Sequence, residues 1–326
     1  MNLLGRLAIL AVAIGCFPAS SLQAQTTYPE RPIRLIVPNP AGGFIDGVGR
    51  IVADRLTANL GKSVVIENRG GASGKIGEDV VLNSPADGYT LLIASVSRPT
   101  LMQQVNPGPP DRDILAEFEI VSALGSAPLM MTMTPKLGAK DFPTLVQIVR
   151  SEPGKHGYGS VGVGTPSPLI SKMLSRSLAL DISQVPYAGG ADALKDMTTG
   201  IVIWLIATPG DSLGLINAGL VLPGFVISSK RLPQLPDTPT ASELGYNELR
   251  DQAVGLYIMA AKGTPRPILD RLNAAVAAAQ EDPALISRLE GVAFTQLHDM
   301  SLDASRKVAE TEVASWETSI KSAGIR

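Results

Sequence analysis

A single cysteine, Cys16, stands near the start of the chain and none follows it. Beyond it no disulfide can form, no thiolate can act as a nucleophile and no sulfur can hold a metal. Histidine is nearly as scarce: neither His156 nor His298 belongs to a set of cysteines or acids at metal-ligand spacing. Neither a metal nor a cofactor is expected. Aromatic residues are 4% of the chain, and the net charge is -2 with no basic block. A nucleic acid would therefore find neither a charged track nor rings to stack on. No apolar run reaches the ~20 residues that a membrane helix needs.

Glycine and proline are plentiful, 32 and 25 residues, and cut the chain into short elements joined by tight loops. With 45% apolar and 18% charged residues the composition suits a folded protein, not a disordered one. At 326 residues the chain is long for one hydrophobic core, so two domains are expected.

The chain begins like an export signal. Arg6 is the positive charge, 7–16 a short apolar core, and 19–24 (Ala-Ser-Ser-Leu-Gln-Ala) offers small residues, with cleavage expected after Ala24. The expected destination is the periplasm. Ala13-Ile14-Gly15-Cys16 loosely resembles a lipobox but lacks the leucine three residues before the cysteine, so soluble export is expected over lipidation of Cys16.

Past the leader, 32–37 reads as a strand stopped by Pro38. Val48, Ile51, Val52, Leu56 and Leu60 then mark one face of a helix that ends at Gly61. A strand over 63–67, a helix over 77–83 and a buried strand over 89–94 complete a β-α-β-α-β run, the pattern of a parallel sheet with crossover helices. Further strands are expected at 118–123, 129–133, 155–159, 183–185, 201–207, 221–228 and 254–261. Helices are expected at 142–151, 168–180, 191–199, 267–280, 284–290 and 301–322. No flexible linker is visible, so short strand-like crossings must join the two domains.

Enzyme motifs fail on inspection. The stretch 70–76 (Gly-Gly-Ala-Ser-Gly-Lys-Ile) lacks the first glycine of a phosphate loop, where Arg69 stands. It also has Ile76 where a hydroxyl must reach magnesium. The glycines of 159–164 have the wrong order for a dinucleotide fingerprint, and Tyr158 replaces the leading glycine of a nucleophile elbow around Ser160. A hydrolase or lyase of small acids is left without a base or a nucleophile.

Two strand-to-helix loops carry a positive argument. In 38–46 (Pro-Asn-Pro-Ala-Gly-Gly-Phe-Ile-Asp), glycines allow close backbone approach, prolines stiffen it, and the amides at the helix start favour an anion. The loop 158–165 (Tyr-Gly-Ser-Val-Gly-Val-Gly-Thr) offers the same amides with two hydroxyls. Two such loops facing each other can grip a carboxylate without an arginine.

These loops fall within a longer set of blocks. They include Tyr28-Pro29 with 32–38, Gly42-Gly43 with Asp46, 64–71, 87–92 (Asp-Gly-Tyr-Thr-Leu-Leu), and Pro153-Gly154-Lys155 leading into Tyr158-Gly159-Ser160. Val185-Pro186-Tyr187 with Gly189-Gly190, Leu235-Pro236-Asp237 with Pro239-Thr240, and Gly263-Thr264-Pro265 follow in order. In this spacing the chain resembles the Bug-type extracytoplasmic receptors of tripartite tricarboxylate transporters, from Tyr28 to its end.

The resemblance implies an α/β, two-lobed type II periplasmic-binding-protein fold, each lobe a mainly parallel sheet flanked by helices. The lobes would be 27–125 plus 250–326, and 126–249, after a 1–24 signal peptide. It implies a receptor and not an enzyme: a monomer that closes on a small-molecule carboxylate and delivers it to membrane transporter subunits, with no nucleic acid involved. A sensor that docks on a signalling protein is the alternative. The grip falls on Gly42, Gly43, Asp46, Ser160, Gly162, Gly164 and Thr165, with Ser95, Ser97, Tyr187 and Ala188 lining the pocket and Phe44 placing a ring against the ligand. Asp46, an anion beside a carboxylate, is expected to cap the helix or bind water.

Departures from the family pattern leave the ligand open. Ile203 stands where an acid is usual, Pro166 follows Thr165 in place of a histidine-bearing loop, and no tryptophan precedes Gly255. Mono- or dicarboxylates are favoured over citrate-like acids, because no basic residue falls in the matched pocket segments.

Overall fold

The computed structural model describes residues 28–105, 112–162, 164–249 and 252–322; the leader and Cys16 lie outside them. The first elements are β1 (Ile33–Val37), α1 (Phe44–Leu60), β2 (Val64–Asn68), α2 (Lys75–Leu82) and β3 (Thr90–Ala94). β1 pairs in parallel with both β2 and β3, and all of its residues except Arg34 are buried. α1 turns Val48, Ile51, Val52, Leu56 and Leu60 onto that sheet at helical spacing. Gly61 ends it with φ +70, donating its N–H to Thr57 O.

Next come α3 (Arg98–Val105), α4 (Ile114–Glu117) and β4 (Phe118–Met133). β4 is one strand of 16 residues, where the sequence reading expected two, at 118–123 and 129–133. The intervening Gly125-Ser126-Ala127-Pro128 looks like a turn, yet it stays extended and paired: Ser126 lies opposite Gly255 and Pro128 opposite Ala253. Register shifts after Ile120 and Ala123 bend the strand without breaking it.

The rest of the chain forms α5 (Phe142–Ser151), β5 (Gly157–Val161), α6 (Pro166–Ser177), β6 (Ser183–Tyr187), α7 (Gly190–Thr199), β7 (Trp204–Ala207) and α8 (Pro209–Asn217). Then follow β8 (Leu222–Ile227), β9 (Ala253–Ala261), α9 (Arg266–Gln280), α10 (Pro283–Glu290), β10 (Thr295–Gln296) and α11 (Leu302–Ser322). The strand order is β2-β1-β3-β9-β4-β7-β5-β6, with β8 and β10 also on β4. The sheet is mixed. Its flanks, β2-β1-β3 and β7-β5-β6, are parallel, whereas every pairing made by β9 or β4 is antiparallel.

Separate cores lie under the two flanks. One joins Leu35, Val52, Leu56, Leu91, Leu272 and Phe294. The other joins Met131, Phe142, Tyr158, Trp204 and Phe225, with Trp204 stacked on Tyr158 at 5.7 Å and Phe142 set edge-on to Phe225 at 5.0 Å. Each such ring buries a large apolar surface, at roughly 25 cal/mol per Å². The strand expected over 201–207 is shorter than its apolar run. Ile201 is 61% exposed, and regular pairing starts at Trp204.

Candidate functional site

A cavity of about 360 Å³ opens where the helices begin. Parallel β-α units place helix N-termini at the carboxyl ends of their strands, so the ends gather in one crevice. Here the starts of α1, α2, α3, α6, α7 and α8 all contribute to the wall. Gly43, Phe44 and Ile45 come from the first, Gly74 and Glu78 from the second, and Ser97 and Arg98 from the third. Gly164 to Ser167, Gly189 to Asp192, and Thr208 with Asp211 come from the others. The N-cap residues Gly43, Thr165, Gly189 and Thr208 make no side-chain capping hydrogen bond, so amide donors at these ends are left for other partners. Each end carries a partial positive charge that favours an anion by about 0.3–1 kcal/mol.

Acids answer some of that charge. Asp46, Glu78, Asp192 and Asp211 sit in the first turns of α1, α2, α7 and α8, whereas the first turns of α3 and α6 carry none. Glu78 is 1% exposed and takes a fork from Arg98, with Nε and Nη2 each 2.7 Å from its oxygens. Arg98 thus puts a cation in the wall that the sequence blocks did not contain, but one already neutralised by Glu78. Pro40, Ile45, Leu129, Ile206 and Val254 make much of the remaining wall apolar.

The fold that forms this crevice is shared with known proteins. The family model described as "Tripartite tricarboxylate transporter family receptor", TctC, matches residues 48–325. The chain belongs to that family. It is 30% identical to the protein BugT of Bordetella pertussis over 327 residues, covering 100% of this chain and 99% of that one. The solved periplasmic binding protein BugD superposes with a TM-score of 0.84 at 29% identity, covering 92% and 99% of the two chains. The R. palustris protein Rpa4515, solved with adipate, also gives 0.84, at 30% identity over 91% and 98%. This TctC protein therefore has the α/β periplasmic-binding-protein fold and is a solute-binding receptor, not an enzyme. Among the described residues no group of His, Cys, Asp and Glu is placed to hold a metal, and no helix is long and apolar enough to cross a membrane.

Of the residues that the sequence reading named, Gly43, Phe44, Ser95, Ser97, Gly164 and Thr165 stand in the cavity wall. Gly42, Asp46, Ser160, Gly162, Tyr187 and Ala188 are not among the wall residues, and their contacts show why. Asp46, 3% exposed, accepts from Gly42 N–H (2.9 Å), Arg50 Nε (3.0 Å) and Asn68 Nδ2 (3.0 Å), so it ties the loop from behind. Burial works to raise its pKa, but the hydrogen bonds from Arg50, Gly42 and Asn68 hold it below the usual carboxylate range. Ser160 Oγ accepts from Gln184 Nε2 at 2.9 Å, and Gly162 N–H donates to Tyr187 O at 3.0 Å. Tyr187 turns its hydroxyl to Asp196 Oδ2 at 2.7 Å; burial and that carboxylate push it up to about 12. Ala188 is flanked by Gly189, which does reach the wall. Phe44 is only 8% exposed and packs on Phe294 at 6.1 Å, so its ring belongs to the core as well as to the wall.

Behind the serines lies a second acid. Ser95 Oγ is 2.8 Å from Ser97 Oγ and donates to Glu312 Oε1 at 3.2 Å, while Tyr257 OH donates to Glu312 Oε2 at 2.7 Å. Burial between α11 and the strands raises the Glu312 pKa, and the hydrogen bonds from Tyr257, Gly255, Ser95 and Ser97 only partly offset it. A carboxyl raised on folding stabilises most when protonated. That contribution is fully present below the unfolded value near 4.5 and is lost as pH rises through the folded one. Glu312→Gln should therefore melt higher than wild type at pH 8, with the gap closing as pH falls toward 4. Thermal melts across that range check it, and a gap independent of pH would refute the shifted carboxyl.

Proposed function

We propose that this receptor captures a small organic carboxylate between the loops 38–46 and 158–165 and presents it to the membrane subunits of a tripartite transporter. Residues 27–125 with 250–326 form one lobe and 126–249 the other, with β4 and β9 as the crossings. Residues 1–24 direct export to the periplasm and are removed after Ala24, leaving a soluble monomer. The observation that carries the reading is the convergence of helix N-termini on one cavity, those of α6 and α7 without a side-chain cap. Adipate in the related Rpa4515 supports the ligand class. Ligand contacts from both sides favour a closed state, as a population shift.

The test is a thermal-shift screen of the chain from Gln25 against mono-, di-, tri- and aromatic carboxylates. A ligand of the folded state raises the melting temperature with its concentration. Silence across all acids would defeat the reading. The grip itself is tested at Gly43. Its φ of -84 suits any residue, and an added Cβ meets nothing closer than Pro40 O at 3.7 Å, so a larger side chain there is tolerated and crowds the cavity. Gly43→Leu should weaken the best ligand by at least about a hundredfold while costing only about 1 kcal/mol of stability through a poorer N-cap. Calorimetric titration and a melt measure the two effects.

A further inference from the structure

One carboxylate inside the cavity comes from the protein itself. Asp211 of α8 reaches across to the start of α1, where Phe44 N–H donates to its Oδ1 at 3.0 Å. Its other oxygen accepts from Thr208 Oγ1 at 2.6 Å. Within α8, Asp211 pairs with the hydroxyl of the N-cap residue Thr208, and that local contact does not need Phe44. The contact with Phe44 joins residues 167 apart and uses an α1 amide that would otherwise favour an anion from solution. The start of α7 lies against the same carboxylate: a Cβ on Gly190 would stand 3.5 Å from Oδ1.

We infer that Asp211 is a resident anion at the α1 N-terminus and restricts this receptor to monocarboxylates with an apolar body. The inference rests on the carboxylate reading above and narrows it. A second carboxylate at that end would meet Asp211, with Asp192 in the same wall. Like charges brought together in a desolvated site cost several kcal/mol. Burial already pushes the Asp211 pKa up, so negative charge is expensive there before a ligand arrives. Of the two gripping loops, 158–165 leads into α6, whose first turn carries no acid, so the one carboxylate belongs at that side with loop 38–46 closing the pocket opposite it. Ile45, Leu129, Ile206 and Val254 suit an apolar remainder.

The experiment is calorimetric titration at pH 7.5 of the chain from Gln25 with acid pairs of equal carbon count: butanoate and succinate, hexanoate and adipate, octanoate and suberate. Wild type should bind the monoacid of its best pair at least about tenfold more tightly than the diacid. Asp211→Ser, which removes the charge and opens the α1 amide, should erase or reverse that ratio. Asp211→Asn keeps the shape and the acceptor for Phe44, so it reads the charge alone should the serine variant fold poorly. A wild type that prefers the diacid, or variants that leave the ratio unchanged, would overturn the inference while leaving the carboxylate reading intact. If no acid of either kind binds wild type, the carboxylate reading fails and the inference falls with it.

Discussion

Replacing Arg98 with alanine should lower stability by about 3 kcal/mol or more, the usual result of leaving one partner of a buried ion pair uncompensated. Glu78 is 1% exposed and takes its fork from Arg98; among the described residues Arg112 Nη1 lies 3.8 Å from the same carboxylate. At roughly 2–4 °C per kcal/mol, the melt should move down by about 6 °C or more. Ligand binding should suffer too. The Arg98 stem supports the α6 loop: an added Cβ on Gly164 would stand 3.2 Å from Arg98 Cγ and 2.5 Å from Met102 Cγ. Glu78→Gln with Arg98→Met should recover most of the loss, because it removes both charges and keeps the volume. A drop under about 1 kcal/mol in the single variant would mean that water reaches Glu78 and the pair is not what holds α2 to α3.

Arg98 also marks where sequence reading runs out. The loops 38–46 and 158–165 were legible because their signal is local: a strand, glycines, then a helix, which dictates amides at a crevice whatever the rest of the chain does. Arg98, Glu78, Asp192 and Asp211 reach the wall from four separate helices, and only the sheet order brings those helices together. One of them did leave a local mark. Thr208-Pro209-Gly210-Asp211 has a hydroxyl followed three residues later by an acid, the spacing of a helix start. Reading it would have placed α8, with Asp211 at its mouth. Tyr187, carried over from the resemblance, left no such mark for its partner: its hydroxyl donates to Asp196 of the following helix, α7.

The fold divides the same way. Periodicity located α1, α5 and α9, whose buried faces repeat every three or four residues. α8 carries two glycines in nine residues, and tertiary packing overrides that low propensity. β4 was split in two because glycine and proline in its middle look like a turn. Gly125 is there because β10 crowds it and only a residue without a side chain fits, while Pro128 keeps its place opposite Ala253 of β9.

Gly125→Ala should be among the most damaging single changes in the chain. Its φ is +145, and an added Cβ would lie 2.1 Å from Thr295 O and 2.8 Å from Gln296 Cα. Both are backbone atoms of β10, so no side chain can swing aside; the strand itself must move. Strain at such a φ costs of order 1–3 kcal/mol and overpacking a similar amount, which puts the expected loss at about 3 kcal/mol or more. Gly138→Ala separates the two causes, because Gly138 also has positive φ, +74, with nothing within 4 Å of its Cβ. It should lose only about 1–2 kcal/mol. Denaturant unfolding of both variants gives the difference, which is the cost of pushing β10 off β4. Ligand affinity should fall in Gly125→Ala alone, since β4 continues from that contact to Leu129 in the cavity wall. Equal losses in the two variants would mean that β10 yields freely and that the close packing at Gly125 does not fix the course of the crossing strand.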